Sequence, residues 1–244
     1  MSSDVRYTLL LATYLEPEYV ERLRQVSPRL NIIYESELLP SSRYPGDHYN
    51  AITRTDEQEI RWQALLKQAD ILFDFDPTHR QDLPELAPQI RWIQASSAGI
   101  GQFVRRMQYD KRMPNTVFTT ASGTHAQPLA EFCTMAMLMF SRGLLQMLDQ
   151  QRRKHWQRYA GTDLVGRTLG IIGVGKIGTE VARMAQALNM RVIGTKRRTD
   201  GIDPATLHLD ALYSAEQLPE LLRQSEYLVL VTPHTEKTER LIGA

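Results

Sequence analysis

Cysteine is nearly missing from this sequence. Cys133 is the only thiol in 244 residues, which excludes an internal disulfide and a cysteine-built metal site; in its apolar helical run it reads as a packed thiol. Net charge is nearly missing as well: 29 basic against 28 acidic side chains leave +1, so no global field draws the chain to nucleic acid or to an acidic membrane surface. Long apolar runs are absent. The most apolar stretch, Cys133 to Phe140, is too short to cross a bilayer, and the opening MSSDVRYTLL lacks a charged leader followed by a long apolar segment. The expectation is a soluble cytoplasmic protein without nucleic-acid or membrane partners.

Several chemistries are excluded by missing motifs. No HxxxH, HExxH or acidic cluster occurs at ligand spacing, so no metal is expected. No GxSxG elbow is present, so the pair Ser96-Ser97 is not a hydrolase nucleophile by motif. What remains is ordinary globular composition, 42% hydrophobic, in a chain long enough for one large or two modest domains.

Strands and helices alternate along it. Tyr7 to Ala12 and Asn31 to Glu35 read as strands with a helix over Glu18 to Val26 between them; Leu38 to Tyr49, with its prolines and Gly46, reads as a loop. Thr55 or Asp56 caps a helix running to Ala69, and strands follow at Ile71 to Phe75, Ile90 to Gln94 and Val117 to Thr120. A long helical stretch from Ala126 to about Trp156 has Pro128 in its first turn and Gly143 as a bend. This alternation predicts an α/β fold with parallel sheets covered on both faces.

The most informative stretch is Thr168 to Arg198, TLGIIGVGKIGTEVARMAQALNMRVIGTKRR. An apolar strand enters a turn with Gly173, Gly175 and Gly178, a helix follows, and a second strand ends in three bases. In such a unit the first glycine makes the tight turn, the second lets backbone approach a pyrophosphate, and the third lets helix pack on strand. The helix start offers free N–H groups to phosphates. Where an acid for the adenosine ribose is expected, the chain carries Lys196, Arg197 and Arg198, and the first acid is Asp200. A 2′-phosphate suits such bases. Hydrogen bonds to charged groups are worth about 1.5–3 kcal/mol each, so two of them favour NADP(H) over NAD(H) by roughly a hundredfold. The alternative is a solvated basic turn.

The second domain continues with a strand near Ala211 to Tyr213, a helix over Ala215 to Arg223, and a strand Tyr227 to Val231, whose apolar YLVLV has the signature of an interior parallel strand although its far side is expected to be left uncovered. Six histidines are possible proton donors. His48, His79, His155 and His208 lie in loops or charged connections and are read as surface residues. His125 and His234 lie where either could face a cleft, but without an evident carboxylate partner; capping or loop roles are favoured.

Four segments, IQASSAGIG at 93–101, QPLAEF at 127–132, LVGRTLGIIGVGKIG at 164–178 and VTPHTEKTERLIG at 231–243, resemble the D-isomer-specific 2-hydroxyacid dehydrogenases. The resemblance implies a flavodoxin-like parallel-sheet substrate domain in residues 1–125, followed in 126–244 by a Rossmann dinucleotide-binding domain that lacks its last strands. It places Lys176 and Ile177 along the pyrophosphate turn and Lys196, Arg197 and Arg198 around the adenosine ribose. Thr232, Pro233 and Thr238 then line the nicotinamide half, and backbone N–H groups of Ser97, Ala98 and Gly99 hold the substrate carboxylate. Taken alone, that last loop is equally a strand-to-helix turn without a ligand.

The implied activity is hydride transfer between NADP(H) and a small 2-oxo or 2-hydroxy acid, glyoxylate- or hydroxypyruvate-like, in a homodimer. Two departures stand out. Members commonly carry an acid at the position of Gly101, whose loss reads as a lost helix cap. The family's catalytic arginine, and the glutamate and histidine paired behind it, lie beyond the segment matching LIGA, so the 244-residue chain is expected to hold no catalytic residue and to be inactive alone. The alternative is a non-catalytic NADP(H)-binding protein whose sheet edge is completed by a partner or dimer.

Overall fold

In a computed structural model, residues 6–44, 46–47 and 50–243 are described. His48 and part of the expected 38–49 loop lie outside these. The chain divides into two compact units, Met1–Ala121 and Ser122–Ala244.

In the first unit, leucines of β1 (Tyr7–Leu11) lie on an inner strand of a sheet and are buried from Leu9 onward. The strand is joined through α1 (Pro17–Val26) to β2 (Leu30–Ile33). Then α2 (Asp56–Gln68) leads to β3 (Ile71–Phe73), α3 (Leu83–Leu86) to β4 (Trp92–Gln94), and α4 (Gly101–Arg106) with α5 (Tyr109–Arg112) to β5 (Val117–Thr119). The order is β2-β1-β3-β4-β5, all parallel, which is the flavodoxin-like arrangement. Thr55 and Gln58 start α2 with a reciprocal capping box. One face of the sheet packs on α1 through Val20, the other on Trp62, Leu66 and an aromatic group of Phe75, Phe103, Tyr109 and Phe118.

The second unit opens with α6 (Ala126–Ser141) and α7 (Leu144–Arg152), separated at Gly143, whose φ of +64° a residue with a side chain rarely adopts. The expected bend is a break between two helices. Strand β6 (Thr168–Ile172), buried at every residue, is the centre of the sheet. It is followed by α8 (Lys176–Ala187), β7 (Arg191–Thr195), β8 (Ala211–Tyr213), α9 (Leu218–Gln224) and β9 (Tyr227–Leu230). The order β8-β7-β6-β9, all parallel, reproduces positions 3-2-1-4 of a Rossmann sheet.

One expectation shifts. The helix expected over Ala215 to Arg223 begins as a 3-10 turn at Ala215–Gln217, because Pro219 can take only a first-turn place in α9. Strand β9, expected to have an uncovered far side, pairs with β6 alone among the described residues, and Leu228 and Leu230 are exposed while Tyr227 and Val229 pack on the core. An apolar run cannot distinguish a strand waiting for a neighbour from one that has it.

Candidate functional site

The glycine turn in the second unit is held from both sides. The carbonyl of Thr195, last residue of β7, accepts from the N–H groups of Gly173 (3.1 Å) and Val174 (2.9 Å). Gly173 has φ +94°, and a Cβ there would lie 2.6 Å from Thr232 Cγ2. At Gly178 a Cβ would lie 2.9 Å from the carbonyl oxygen of Gly173, so α8 approaches the turn as closely as a glycine allows. Gly175 differs: no protein atom lies within 4 Å of its Cβ position. Its missing side chain leaves space open that the fold itself does not fill.

The first intrahelical bond of α8 runs from Thr179 N–H to Gly175 O at 2.8 Å. The N–H groups of Lys176, Ile177 and Gly178 precede it, outside the helical ladder. They follow Gly175 directly, at the C-terminal end of β6, where open parallel sheets bind ligands. The ammonium of Lys176 donates to Ser122 O at 2.9 Å.

The three bases at the end of β7 are not equivalent. Lys196 Nζ donates to Val174 O at 2.6 Å and so belongs to the turn. Arg197 and Arg198 are exposed and form no ion pair among the described residues. Beyond β9, Thr232 packs on Gly173, while the Thr238 hydroxyl donates to Pro233 O at 2.6 Å and accepts from Thr235 N–H at 2.8 Å. That closes the 232–238 loop on itself.

In the first unit, Ser97, Ala98 and Gly99 follow β4. The loop is tied at its start by the Ser96 hydroxyl, which donates to the Asp74 carboxylate, and by Ser97 O, which accepts from Ala121 N–H at 3.3 Å. Asp74 is buried, with φ +65°. Ser97 and Gly99 line a cavity of about 220 Å³ that includes Arg80 and Arg106. Helix α4 starts without a side-chain cap, Ile100 holding the cap position before Gly101.

Among the histidines, His79 departs from the surface reading. Its ring nitrogens bond Glu59 at 2.6 Å and Asp82 at 2.9 Å, and its side chain is only 14% exposed. Burial lowers the imidazole's basicity, but the hydrogen bonds of Asp82 and Glu59 outweigh it and raise the pKa. Local composition cannot show this, because Glu59 comes from α2, twenty residues away. His125 takes the cap position of α6 with no side-chain cap bond, His208 sits at φ +58° after a 3-10 turn, and His155 and His234 are exposed. Burial pushes the Cys133 thiol up, as for a packed group. No metal-ligand cluster and no helix long and apolar enough to cross a membrane occur among the described residues.

Comparison with known proteins decides the family. Residues 134–244 match the family described as D-isomer specific 2-hydroxyacid dehydrogenase, NAD binding domain. A hydroxypyruvate reductase of Thermotoga maritima is 33% identical over 195 residues, 79% of this chain and 60% of the relative. A glyoxylate reductase of Thermococcus gammatolerans is 30% identical over 81% of this chain and 61% of its own length. A crystal structure of a D-isomer specific 2-hydroxyacid dehydrogenase family protein from Aeromonas salmonicida superposes with a TM-score of 0.72 at 27% identity, covering 97% of this chain and 67% of that one. Residues 134–244 belong to the D-isomer-specific 2-hydroxyacid dehydrogenase family as its NAD binding domain, and the chain as a whole is similar to members of that family. It spans about 60% of the length of the two reductases.

For this dehydrogenase-like chain, sequence reasoning located the glycine turn and the bases but passed over Arg80, Arg106 and Asp74. None of these stands in a motif; the fold assembles them from the connection between β3 and α3 and from the last residue of α4.

Proposed function

We propose that this chain binds NADP(H) in its second unit and a small 2-oxo or 2-hydroxy acid in its first, as part of an NADP-dependent 2-hydroxyacid dehydrogenase of the glyoxylate/hydroxypyruvate kind. The observation that carries the reading is the open space at Gly175 beside the α8 start, with two unpaired guanidinium groups one strand away. That combination fits a dinucleotide with a 2′-phosphate. The names of the hydroxypyruvate and glyoxylate reductases among its relatives support the substrate class.

The bound dinucleotide supplies the hydride. The chain's own residues bind and orient: the N–H groups of Lys176, Ile177 and Gly178 take the pyrophosphate, and Arg197 and Arg198 take the 2′-phosphate. Thr232, Pro233 and Thr238 border the nicotinamide half. Backbone N–H groups at Ser97, Ala98 and Gly99 hold the acid's carboxylate. Polarisation of the carbonyl and delivery of a proton fall to an arginine and a glutamate–histidine pair that the family resemblance places outside the described residues.

A homodimer in the cytoplasm belongs to the same reading. Helix α6 buries Ala130 and Met137 against the core around α8, yet leaves Phe132 and Phe140 at 62% and 72% exposure, and Leu145 and Leu148 of α7 are exposed beside them. Apolar surface of that extent marks an association face.

The test is NADPH binding by calorimetry together with absorbance-followed NADPH oxidation in the presence of glyoxylate and hydroxypyruvate. NADPH binding at least tenfold tighter than NADH supports the assignment. Equal affinities overturn the 2′-phosphate site, and absence of binding overturns the dinucleotide reading.

A further inference from the structure

We propose that the substrate is a 2-oxo or 2-hydroxy acid with a second anionic group at its far end, received by Arg80 and Arg106. The inference rests on the reading of Ser97 to Gly99 as the holder of the first carboxylate.

The cavity beside that loop is larger than a two-carbon acid requires. Its volume of about 220 Å³ is several times a water molecule's share of the liquid, about 30 Å³. Its lining brings Ser97 and Gly99 together with the apolar Phe75 and Phe103 and with Arg80 and Arg106. Through Pro77 and Arg80 it adjoins a second cavity of about 340 Å³ bordered by Asn50, Ile52 and Thr78. A longer molecule therefore has room beyond the loop, and Arg80 lines both spaces.

The charges in this wall are arranged unequally. Asp74 and Asp76 also line the cavity, but both are buried and already engaged. Asp74 accepts from the Ser96 hydroxyl and from Phe75 N–H. Asp76 accepts from Trp62 Nε1 at 2.7 Å and from the N–H and hydroxyl of Thr78 at 2.8 and 2.7 Å. The two guanidinium groups are exposed and form no ion pair among the described residues, whereas neighbouring Arg54 and Arg112 are paired with Glu59 and Glu85. The free charge offered to a ligand is positive. Arg80 is not on a loose loop: its carbonyl accepts from the fully buried Tyr109 hydroxyl at 2.6 Å.

Planar guanidinium groups bind carboxylate or phosphate through paired hydrogen bonds. A phosphate ester and a second carboxylate share this chemistry, and the experiment separates them. Calorimetry on the 244-residue chain, with and without NADPH, compares hydroxypyruvate, phosphohydroxypyruvate and oxaloacetate. The expected result is that at least one doubly anionic acid binds roughly tenfold or more tightly than hydroxypyruvate, and that Arg80→Gln and Arg106→Gln each reduce that advantage without weakening hydroxypyruvate. Whichever acid leads identifies the second anion. Both arginines are exposed, so the variants retain the fold, checked by unchanged thermal unfolding. If all three acids bind equally, or if neither substitution alters the ratio, the inference falls while the carboxylate site stands. If none binds, in either form, the carboxylate reading and the inference fall together.

Discussion

Lys196 Nζ lies 2.6 Å from the carbonyl oxygen of Val174. With Thr195 O accepting from Gly173 and Val174, this bond makes the end of β7 a bracket for the glycine turn, and it separates one base from its two neighbours.

Arg197→Gln and Arg198→Gln should each weaken NADPH binding about tenfold or more and leave NADH nearly unchanged, because only the 2′-phosphate loses a charged partner. Lys196→Met should weaken both dinucleotides by similar factors, because it loosens the turn. Titration of each variant with both cofactors checks this; a uniform loss in the arginine variants would count against the phosphate assignment.

Gly175→Val should fold normally, since its Cβ position is open and φ is −107°, yet bind no dinucleotide. Gly173→Val should instead unfold several degrees earlier, because it combines φ +94° with a 2.6 Å approach to Thr232, a conformational cost of about 1–3 kcal/mol before the clash. Thermal melts paired with NADPH titrations distinguish the two positions.

His79 links stability to pH. Its native pKa is raised above the ordinary 6.5, so its bonds to Glu59 and Asp82 stabilise the fold fully below pH 6.5 and progressively less as pH rises through the native value. Glu59, held by Gln63, His79 and Arg54 against the opposing effect of burial, has a lowered pKa; its contribution is present above the ordinary carboxylate range and is lost as pH falls through the native value. The stability difference between the wild-type chain and His79→Gln, measured by urea unfolding from pH 5 to 9, should therefore be largest near pH 6 and shrink toward pH 9. A pH-independent difference would show that the imidazole stays neutral.

Phe132→Asp combined with Phe140→Asp should shift the chain toward a monomer in sedimentation and leave α8 packing intact, since both rings are exposed and Met137 and Ala130 make the inward contacts. A monomeric wild-type chain would remove the dimer proposal.

The nucleotide-type unit was legible because its signals are local: Gly173, Gly178 and the flanking apolar strands lie within a few residues of one another, and the helix break at Gly143 follows from one left-handed residue. The Thr55 cap was legible for the same reason. The His79 bridge and the Arg80–Arg106 wall were not, because each joins residues from separate elements whose proximity exists only after the sheet has formed. Helices α4 and α5 escaped notice too, being short and opened by Gly101 and by a left-handed Gln108 without side-chain caps. Strand β9 was legible from its own apolar run, and the expectation that its far side has no neighbour agrees with its pairing to β6 alone among the described residues.

Asp74 carries one more consequence. A buried non-glycine residue at φ +65° is a conformational debt kept in place by Ser96 and Phe75. Asp74→Gly would relieve that backbone cost and at the same time release the loop before Ser97. Protein engineers seeking a hardier version of this chain would thus gain little at this position: the strain that glycine relieves, about 1–3 kcal/mol, is offset by the lost hydrogen bonds to a charged acceptor, about 1.5–3 kcal/mol each, and the loop that begins at Ser97 is left to drift.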